Sequence, residues 1–165
     1  MIRIAITGPE SSGKSTLCQA LSKHYEVEYI PEFARSYLEK NNGVYIQTDL
    51  DEIGKGQLDL IQSSKAEMVI SDTDFSVLEI WSQYKYNETS KLIQDLARKK
   101  LFDLHILCTP DIPWEEDPLR ENPDNRDELF ELYLNALKKH EKNFTVVSGA
   151  HSERVEKSLK SIDLL

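Results

Sequence analysis

The most constraining feature of the sequence is the stretch GPESSGKS at positions 8–15, which fits the pattern G-x-x-x-x-G-K-[ST]. Residues 2–7 before it read as a short strand, and the apolar residues after it recur at helical spacing. A glycine-rich turn between a strand and a helix directs successive backbone N–H groups to one place, and the helix dipole strengthens their field. The sequence therefore predicts a binding site for the phosphates of a nucleoside triphosphate, a P-loop.

Nine residues are predicted to contact this nucleotide: Gly8, Glu10, Ser11, Ser12, Gly13, Lys14, Ser15, Thr16 and Gly149. The Lys14 ammonium is expected to reach the β- and γ-phosphates, and the Ser15 hydroxyl is expected to ligate Mg²⁺. Gly149 follows the last predicted strand, where a residue without a side chain lets the backbone approach a planar base closely. A simple turn is the alternative reading of that glycine.

Length and charge narrow the class of protein. A chain of 165 residues predicts a single domain, 1–165, and a net charge of −9 argues against a nucleic-acid partner, which requires clustered lysine and arginine. The longest apolar runs are strand-sized, which predicts no membrane span, and Met1 leads directly into the first strand, which predicts no signal peptide. Cys18 and Cys108 are interpreted as reduced core residues of a cytoplasmic protein. The oligomeric state is not indicated.

Strand-like and helix-like segments alternate along the whole chain. Strands are predicted at 2–7, 26–30, 67–71, 103–108 and 144–148. Helices are predicted at 14–24, 32–41, 49–65, 74–86, 89–100, 124–142 and 152–162. This alternation predicts an α/β fold, a five-stranded parallel sheet with helices on both faces. Ligands are then expected at the carboxyl ends of the strands.

Two charged residues follow the second predicted strand. Glu32 and Arg35 are three residues apart at the start of a predicted helix, so both can face the same end of the sheet. They are candidates for substrate contact. The alternative is that Glu32 complements the helix dipole and Arg35 is its solvated partner.

Two acids, Asp72 and Asp74, follow the third predicted strand. A carboxylate in this place of a P-loop site holds the Mg²⁺ shell or orients the nucleophile. Residues two apart in an extended segment point the same way, so both acids are expected to face the cleft. The alternative for one of them is a cap on the next helix.

Aromatic residues and a proline-rich segment complete the candidate set. Trp81 and Tyr84 share one helical face, which fits either a core stripe or the wall of a substrate pocket. Residues 109–126 contain four prolines and many charges, and their only cations are Arg120 and Arg126. A lid at about 110–126 is expected to bring both guanidinium groups onto the γ-phosphate. The alternative is a charged surface loop whose arginines pair with adjacent acids.

These features together favour a kinase with a small hydroxyl compound as acceptor. A GTPase would show an N-K-x-D base-reading motif, which is absent. An AAA module is set aside because it is expected to need a larger core and a helical lid domain. A non-catalytic ATP-binding switch remains an alternative, although the acids and arginines exceed what a sensor needs.

Several motifs closely resemble the ribosylnicotinamide kinase family, which includes the kinase half of the bifunctional NadR proteins. They are GPESSGKST at 8–16, PEFAR at 31–35, SDTDF at 71–75, PDIPWE at 110–115 with Leu119-Arg120, and Ser148-Gly149 with Glu153-Arg154. The resemblance runs from the first strand to the last helix and implies a P-loop kinase fold. The chain departs from the bifunctional members in lacking adenylyltransferase and DNA-binding segments, so neither activity is expected.

The resemblance implies transfer of the ATP γ-phosphoryl group to the 5′-hydroxyl of nicotinamide riboside, with Mg²⁺, in NAD biosynthesis. The residues implied for catalysis are Lys14, Asp72, Arg120 and Arg126, with Ser15 and Asp72 on the metal. Those implied for the riboside are Glu32, Arg35 and Asp74 at the ribose, and Trp81, Tyr84 or Trp114 at the nicotinamide ring. Another nucleoside or small metabolite as acceptor, GTP as donor, and the identity of the base carboxylate stay open.

Overall fold

The computed structural model describes residues 1–165 and shows strands and helices in alternation. The strands are β1 (Ile2–Thr7), β2 (Tyr29–Ile30), β3 (Met68–Asp72), β4 (Leu104–Cys108) and β5 (Phe144–Val147). The helices are α1 (Lys14–Tyr25), α2 (Phe33–Lys40), α3 (Asp49–Ser63), α4 (Ser76–Tyr86), α5 (Lys91–Arg98), α6 (Arg126–Lys139) and α7 (His151–Ile162).

All five strands form one parallel sheet in the order β2-β3-β1-β4-β5. The chain builds one side of the sheet from β2 and β3 and then crosses to the other side for β4 and β5. Such a reversal leaves a crevice at the carboxyl ends of the central strands, where α/β proteins bind their ligands. The predicted fold class is confirmed.

Helices cover both faces of the sheet, so the central strands consist mainly of apolar residues. Ile4 and Ile6 of β1 belong to a core cluster with Leu17 and Leu21 of α1, on the face where α1 and α7 pack together. Ala5 points to the opposite face, into a second cluster formed with residues of α2, α3, α4 and α5. Both faces of β1 are therefore buried, which fixes the position of the turn that follows it.

Among the strands, β2 departs most from its predicted bounds, and helices α5 and α6 are also shorter than predicted. The sequence predicted residues 26–30, whereas only Tyr29 and Ile30 pair with β3. Glu26 has a left-handed backbone (φ 55°) and ends α1, and the Val27 N–H still bonds to the Ser22 carbonyl. Residues 26 and 27 therefore complete the end of a helix instead of starting a strand.

The connection from β4 to α6, residues 109–125, contains no helix or strand. Cys18 and Cys108 are buried and form no disulfide. None of the helices combines the length and the apolar character that crossing a membrane would require.

Candidate active site

The turn between β1 and α1 has a backbone that only particular residues allow. Gly8 has a φ of 134°, and a Cβ at this position would lie 2.6 Å from the Cys108 carbonyl oxygen. Gly13 precedes α1 at a φ of 80°, and no side chain caps the helix. The N–H groups of the first turn of α1 are therefore left for a ligand, as an anion site requires.

One cavity of about 550 Å³ opens at this turn. It has the P-loop at one end and four aromatic side chains elsewhere in its wall, namely Tyr45, Trp81, Tyr84 and Tyr133. Other predicted site residues that line it are Glu10, Ser11, Ser12, Gly13, Lys14, Ser15, Thr16, Glu32, Arg35 and Arg120. The structure thus brings most of the predicted residues to one space.

Lys14 and Ser12 both close onto the loop that carries them. The Lys14 Nζ donates to the Pro9 carbonyl over 2.8 Å, and the Ser12 hydroxyl donates to the same carbonyl over 2.7 Å. The Lys14 ammonium therefore lies against the turn whose N–H groups would hold phosphates.

Asp72 ends β3 and is bonded to the start of α1. The Ser15 hydroxyl donates to Asp72 Oδ2 over 2.6 Å, whereas the buried Oδ1 has no hydrogen-bond partner. The side chain is buried, and Asp72 lies behind Ser15 instead of in the cavity wall. An unpartnered buried carboxylate oxygen is costly unless something cationic engages it.

These oxygens fit Mg²⁺. The metal prefers hard oxygen ligands and is usually bound by one or two protein groups together with substrate phosphates. Ser15 and Asp72 supply such a partial set, and no cluster of three or more His, Cys, Asp or Glu side chains offers a complete cage. The residues present therefore suit a metal that arrives with a nucleotide.

Asp74 does not reach the cavity, contrary to the expectation that it shares a direction with Asp72. It is buried and accepts hydrogen bonds from Thr7 Oγ1 and Ser76 Oγ, each over 2.8 Å, with His105 Nε2 at 3.6 Å. The reason is Thr73, whose φ of 97° breaks the extended backbone that the expectation assumed. Its contacts place Asp74 in the fold beneath the site.

Glu32 lies in the cavity wall at the junction of β2 and α2. Its side chain makes no capping hydrogen bond to α2. Desolvation raises the pKa of the Glu32 carboxyl, the Asp72 charge adds to this, and the Lys14 ammonium opposes it. A carboxyl with a raised pKa that faces a cavity is suited to taking a proton at neutral pH.

Arg35 also lines the cavity but is engaged by neighbouring acids. Its guanidinium donates to Asp117 Oδ2 over 2.7 Å and lies 3.7 Å from Glu39. Arg35 therefore ties α2 to the 109–125 connection.

The 109–125 connection and the first residue of α6 are held on the P-loop by several hydrogen bonds. The Glu10 carboxylate accepts the N–H groups of Glu121 and Asn122 at 3.1 and 2.9 Å. The Ser11 hydroxyl accepts the Glu115 N–H, and the Ser11 carbonyl accepts the Arg126 guanidinium, each at 2.9 Å. Predicted nucleotide-binding residues thus also anchor the predicted lid.

Trp114 lies between the two predicted lid arginines and outside the cavity wall. The guanidinium groups of Arg120 and Arg126 lie 5.8 and 5.7 Å from its ring centroid, within cation–π range. Arg120 also donates to the Glu115 carbonyl. The geometry makes Trp114 a support for the arginines instead of a stacking surface for a substrate.

The aromatic wall contains a cluster that the sequence did not reveal. Trp81 Nε1 donates to the Tyr45 hydroxyl over 2.9 Å, with the ring centroids 4.9 Å apart and edge to face. The Lys85 ammonium lies 4.0 Å above the Tyr45 ring and 3.3 Å from Glu121. Tyr45 lies in the loop between α2 and α3, where no periodic pattern marks a side chain as inward-facing.

Gly149 also lies outside the cavity wall. Its N–H donates to Asp111 Oδ2 over 2.7 Å, and its carbonyl accepts Arg154 Nε over 2.9 Å. The buried Arg154 guanidinium donates in addition to the Ser12 carbonyl over 2.9 Å. Arg154 therefore links the P-loop to the loops that follow β4 and β5.

A family described as AAA domain matches residues 3–154, which is most of the chain. The chain belongs to this family. The expectation that the chain is not an AAA module was therefore wrong. It assumed a separate helical lid domain, whereas the match to the AAA domain family lies within the single α/β core.

Among curated proteins, the chain is similar to the trifunctional NAD biosynthesis/regulator protein NadR of Escherichia coli (strain K12). The two are 28% identical over 171 aligned residues, which cover 98% of this chain and 41% of NadR. The chain thus spans about two-fifths of the length of that relative. The resemblance to NadR proteins drawn from the motifs is confirmed.

Solved structures show the same fold. A crystal structure of NadR protein in complex with NR matches with a TM-score of 0.80 at 18% identity, over 99% of this chain and 51% of that chain. The structure of deoxyadenosine kinase from M. mycoides with bound dATP matches with a TM-score of 0.57 at 16% identity. The match covers 99% of this chain and 100% of that chain. The fold is that of P-loop kinases.

Proposed function

We propose that the protein is a kinase that transfers the γ-phosphoryl group of ATP to the 5′-hydroxyl of nicotinamide riboside, a step of NAD biosynthesis. One observation carries the proposal: a single cavity joins the phosphate-binding turn to an aromatic wall and includes the Glu32 carboxylate. Direct transfer requires donor and acceptor in one space, because alignment of the reacting atoms supplies much of the rate.

On the donor side, the free N–H groups at the start of α1 and the Lys14 ammonium would hold the phosphates. Ser15 and Asp72 would hold Mg²⁺, which supplies charge neutralisation on the phosphate oxygens. Arg120 and Arg126, supported by Trp114, would stabilise the charge that develops as the γ-phosphoryl group moves.

On the acceptor side, Glu32 is proposed as the base. As the 5′-oxygen bonds to phosphorus and the bond to the departing ADP oxygen breaks, the hydroxyl proton passes to the Glu32 carboxylate. Asp72 is less suited to this task because Ser15 occupies one of its oxygens and it lies behind the cavity wall. The contribution of the base is modest, since the transition state of phosphoryl transfer is loose.

The nicotinamide ring of the riboside is a pyridinium cation, which gains from an aromatic face. Trp81 and Tyr84 offer such faces in the cavity wall, whereas Lys85 covers one face of Tyr45. The fold likeness to NadR in complex with NR supports this acceptor. Residues 110–126 would act as a lid that excludes water from the phosphoryl group.

The deciding experiment measures ADP release from Mg²⁺-ATP with nicotinamide riboside, deoxyadenosine, adenosine, uridine and no acceptor. The proposal requires the highest kcat/KM with nicotinamide riboside. A preference for deoxyadenosine would instead favour the second candidate, a nucleoside kinase, for which the likeness to deoxyadenosine kinase speaks. No turnover with any acceptor, with nucleotide co-purifying, would favour an ATP-binding switch.

Because the proposed reaction consumes ATP, its proposed location is the cytoplasm.

A further inference from the structure

Gln57 is a buried polar side chain in the middle of α3 that the proposed mechanism does not use. It is 3% exposed and makes three hydrogen bonds. Its Oε1 accepts the Phe33 N–H over 2.7 Å, and its Nε2 donates to the Pro31 carbonyl over 3.4 Å and to the Ser71 hydroxyl over 3.2 Å. All three partners lie in segments that lead to the cavity.

The partners determine the orientation of the Gln57 amide. A backbone N–H can only donate and a carbonyl can only accept, so Phe33 faces the amide oxygen and Pro31 faces the nitrogen. The Ser71 hydroxyl accepts from Gln57 and gives its own proton to the Thr73 carbonyl over 2.9 Å. Every proton of the network therefore has one acceptor, and no other arrangement satisfies all the groups.

The network holds the backbone on both sides of each of the two acids, Glu32 and Asp72. The two backbone partners of Gln57 are the chain neighbours of Glu32, one on each side. The Ser71–Thr73 hydrogen bond, which Gln57 supports, spans Asp72 in the same way. Helix α3 contributes no residue to the cavity wall, so Gln57 acts on the two acids only through their backbone.

We propose that Gln57 is a positioning residue that fixes the spacing between the Glu32 and Asp72 carboxylates. This inference rests on the proposed kinase function, in which one acid takes the proton and the other serves the metal. The Thr73 backbone gives an independent reason for such support. A φ of 97° is strained for a β-branched residue and persists only where surrounding bonds hold it.

A purely structural role makes a different prediction. The Phe33 N–H, at the start of α2, has no acceptor within the helix and is not capped by the preceding Glu32 side chain, so Gln57 Oε1 is its acceptor. If Gln57 only satisfied that donor, its loss would lower thermal stability and leave the turnover of folded enzyme unchanged. A positioning role requires that turnover falls as well.

The test compares Gln57→Met with Ile61→Val. Gln57→Met keeps the length of the side chain and removes all three hydrogen bonds. Ile61 lies on the same helix, is fully buried and has an apolar side chain that takes no part in the hydrogen bonds of the network, so its truncation is expected to lower stability alone. We expect Gln57→Met to lower kcat about tenfold or more with the KM for ATP within about twofold, while Ile61→Val keeps the wild-type kcat.

A second variant and a second readout keep the inference falsifiable. Ser71→Ala removes only the hydrogen bonds on the side of Asp72, leaves those of Gln57 to Phe33 and Pro31 in place, and should lower kcat less than Gln57→Met. NMR titration of the Glu32 carboxyl, without substrates, should show its raised pKa falling toward the ordinary 4.5 in Gln57→Met. If the wild type is inactive with every acceptor, the proposed function is overturned. The titration of Glu32 in Gln57→Met then tests the role of Gln57 on its own. Unchanged kcat and an unchanged titration would overturn the inference.

Discussion

The Ser15 hydroxyl donates a 2.6 Å hydrogen bond to Asp72 Oδ2, between residues 57 positions apart in the chain, while Asp72 Oδ1 has no partner. The bond joins the start of α1 to the end of β3, so the phosphate-binding helix and the acid are held as a unit. The two oxygens of Asp72 thus differ: one is bonded to the serine, and the other is the oxygen that the proposed function assigns to Mg²⁺.

Asp72→Asn is expected to lower kcat at least ~100-fold, which is the scale of one lost transition-state contact. It should also raise the Mg²⁺ concentration needed for half-maximal rate, because the free oxygen loses its charge. The measurement is turnover against Mg²⁺ at saturating ATP and riboside.

Asp74→Asn is the matched control, since it makes the same charge change two residues away. The buried Asp74 bonds to Thr7 and Ser76, so its variant should lose about 1–3 kcal/mol of stability and keep the wild-type Mg²⁺ dependence. A shifted Mg²⁺ dependence in Asp74→Asn would contradict the separation of the two acids.

The pH profile is expected to report Glu32. A carboxylate acts as a base only when deprotonated, so kcat/KM should fall as the pH is lowered through its pKa. Because burial raises that pKa, this limb should lie above the ordinary 4.5 of glutamate. Glu32→Gln should remove the limb and lower kcat about 10²-fold, the low end of the range for a general base, because the loose transition state requires little assistance from one.

The same pKa shift has a consequence for stability. The native state binds the Glu32 proton more tightly than the unfolded state does. The free energy of unfolding of the wild type, relative to Glu32→Gln, should therefore fall as the pH rises from 4.5 through the raised pKa. If the free energies of unfolding of the wild type and Glu32→Gln change with pH in parallel, Glu32 is solvated in the native state and its pKa is not raised.

Trp114→Leu is expected to lower kcat while the KM for the riboside stays unchanged. The ring lies between Arg120 and Arg126 and outside the cavity wall, so its loss frees the arginines without altering the acceptor pocket. Steady-state kinetics with varied riboside checks this, and Arg98→Ala at the end of α5 is the control. A raised riboside KM would return Trp114 to the role of a stacking residue.

Mg²⁺-bound nucleotide is expected to raise the melting temperature. A ligand at 100 times its Kd stabilises the native state by ~2.7 kcal/mol, which is roughly 5–10 °C for a chain of this size. Lys14→Ala should lose most of the shift, because its ammonium lies at the phosphate turn. An equal shift in Lys14→Ala would mean that the nucleotide binds elsewhere.

The order of the elements and the P-loop could be predicted because both depend on local pattern. The hydrophobic spacing indicated every strand and helix, and glycines at fixed separation indicated the turn. The direction of the Asp74 side chain could not be predicted, because it depends on one backbone angle at Thr73 that β-branched residues rarely adopt. Strand β2 was overestimated because its first residues still belong to the end of α1.

Side chains that act through distant partners were the other group that the sequence did not reveal. Tyr45 lies in an aperiodic loop, and Gln57 reads as an ordinary polar residue of an amphipathic helix until its contacts are seen. The resemblance implied Trp114 only as one of three candidates for the nicotinamide ring, because a pyridinium cation gains from an aromatic face. Its place between two arginines depends on how residues 109–125 fold back.

Glu10 and Ser11 belong to the turn that faces the phosphates, and they also hold residues 115, 121, 122 and 126 above it. The phosphate-binding turn and the segment 109–126 are therefore joined through the same two residues, Glu10 and Ser11. In the proposed reaction, a rearrangement of the turn when ADP leaves would also loosen the segment 109–126. In the proposed reaction we therefore expect the two products to leave together, and we expect the slow step of the cycle to be sensitive to changes at Glu10, a residue with no part in bond making.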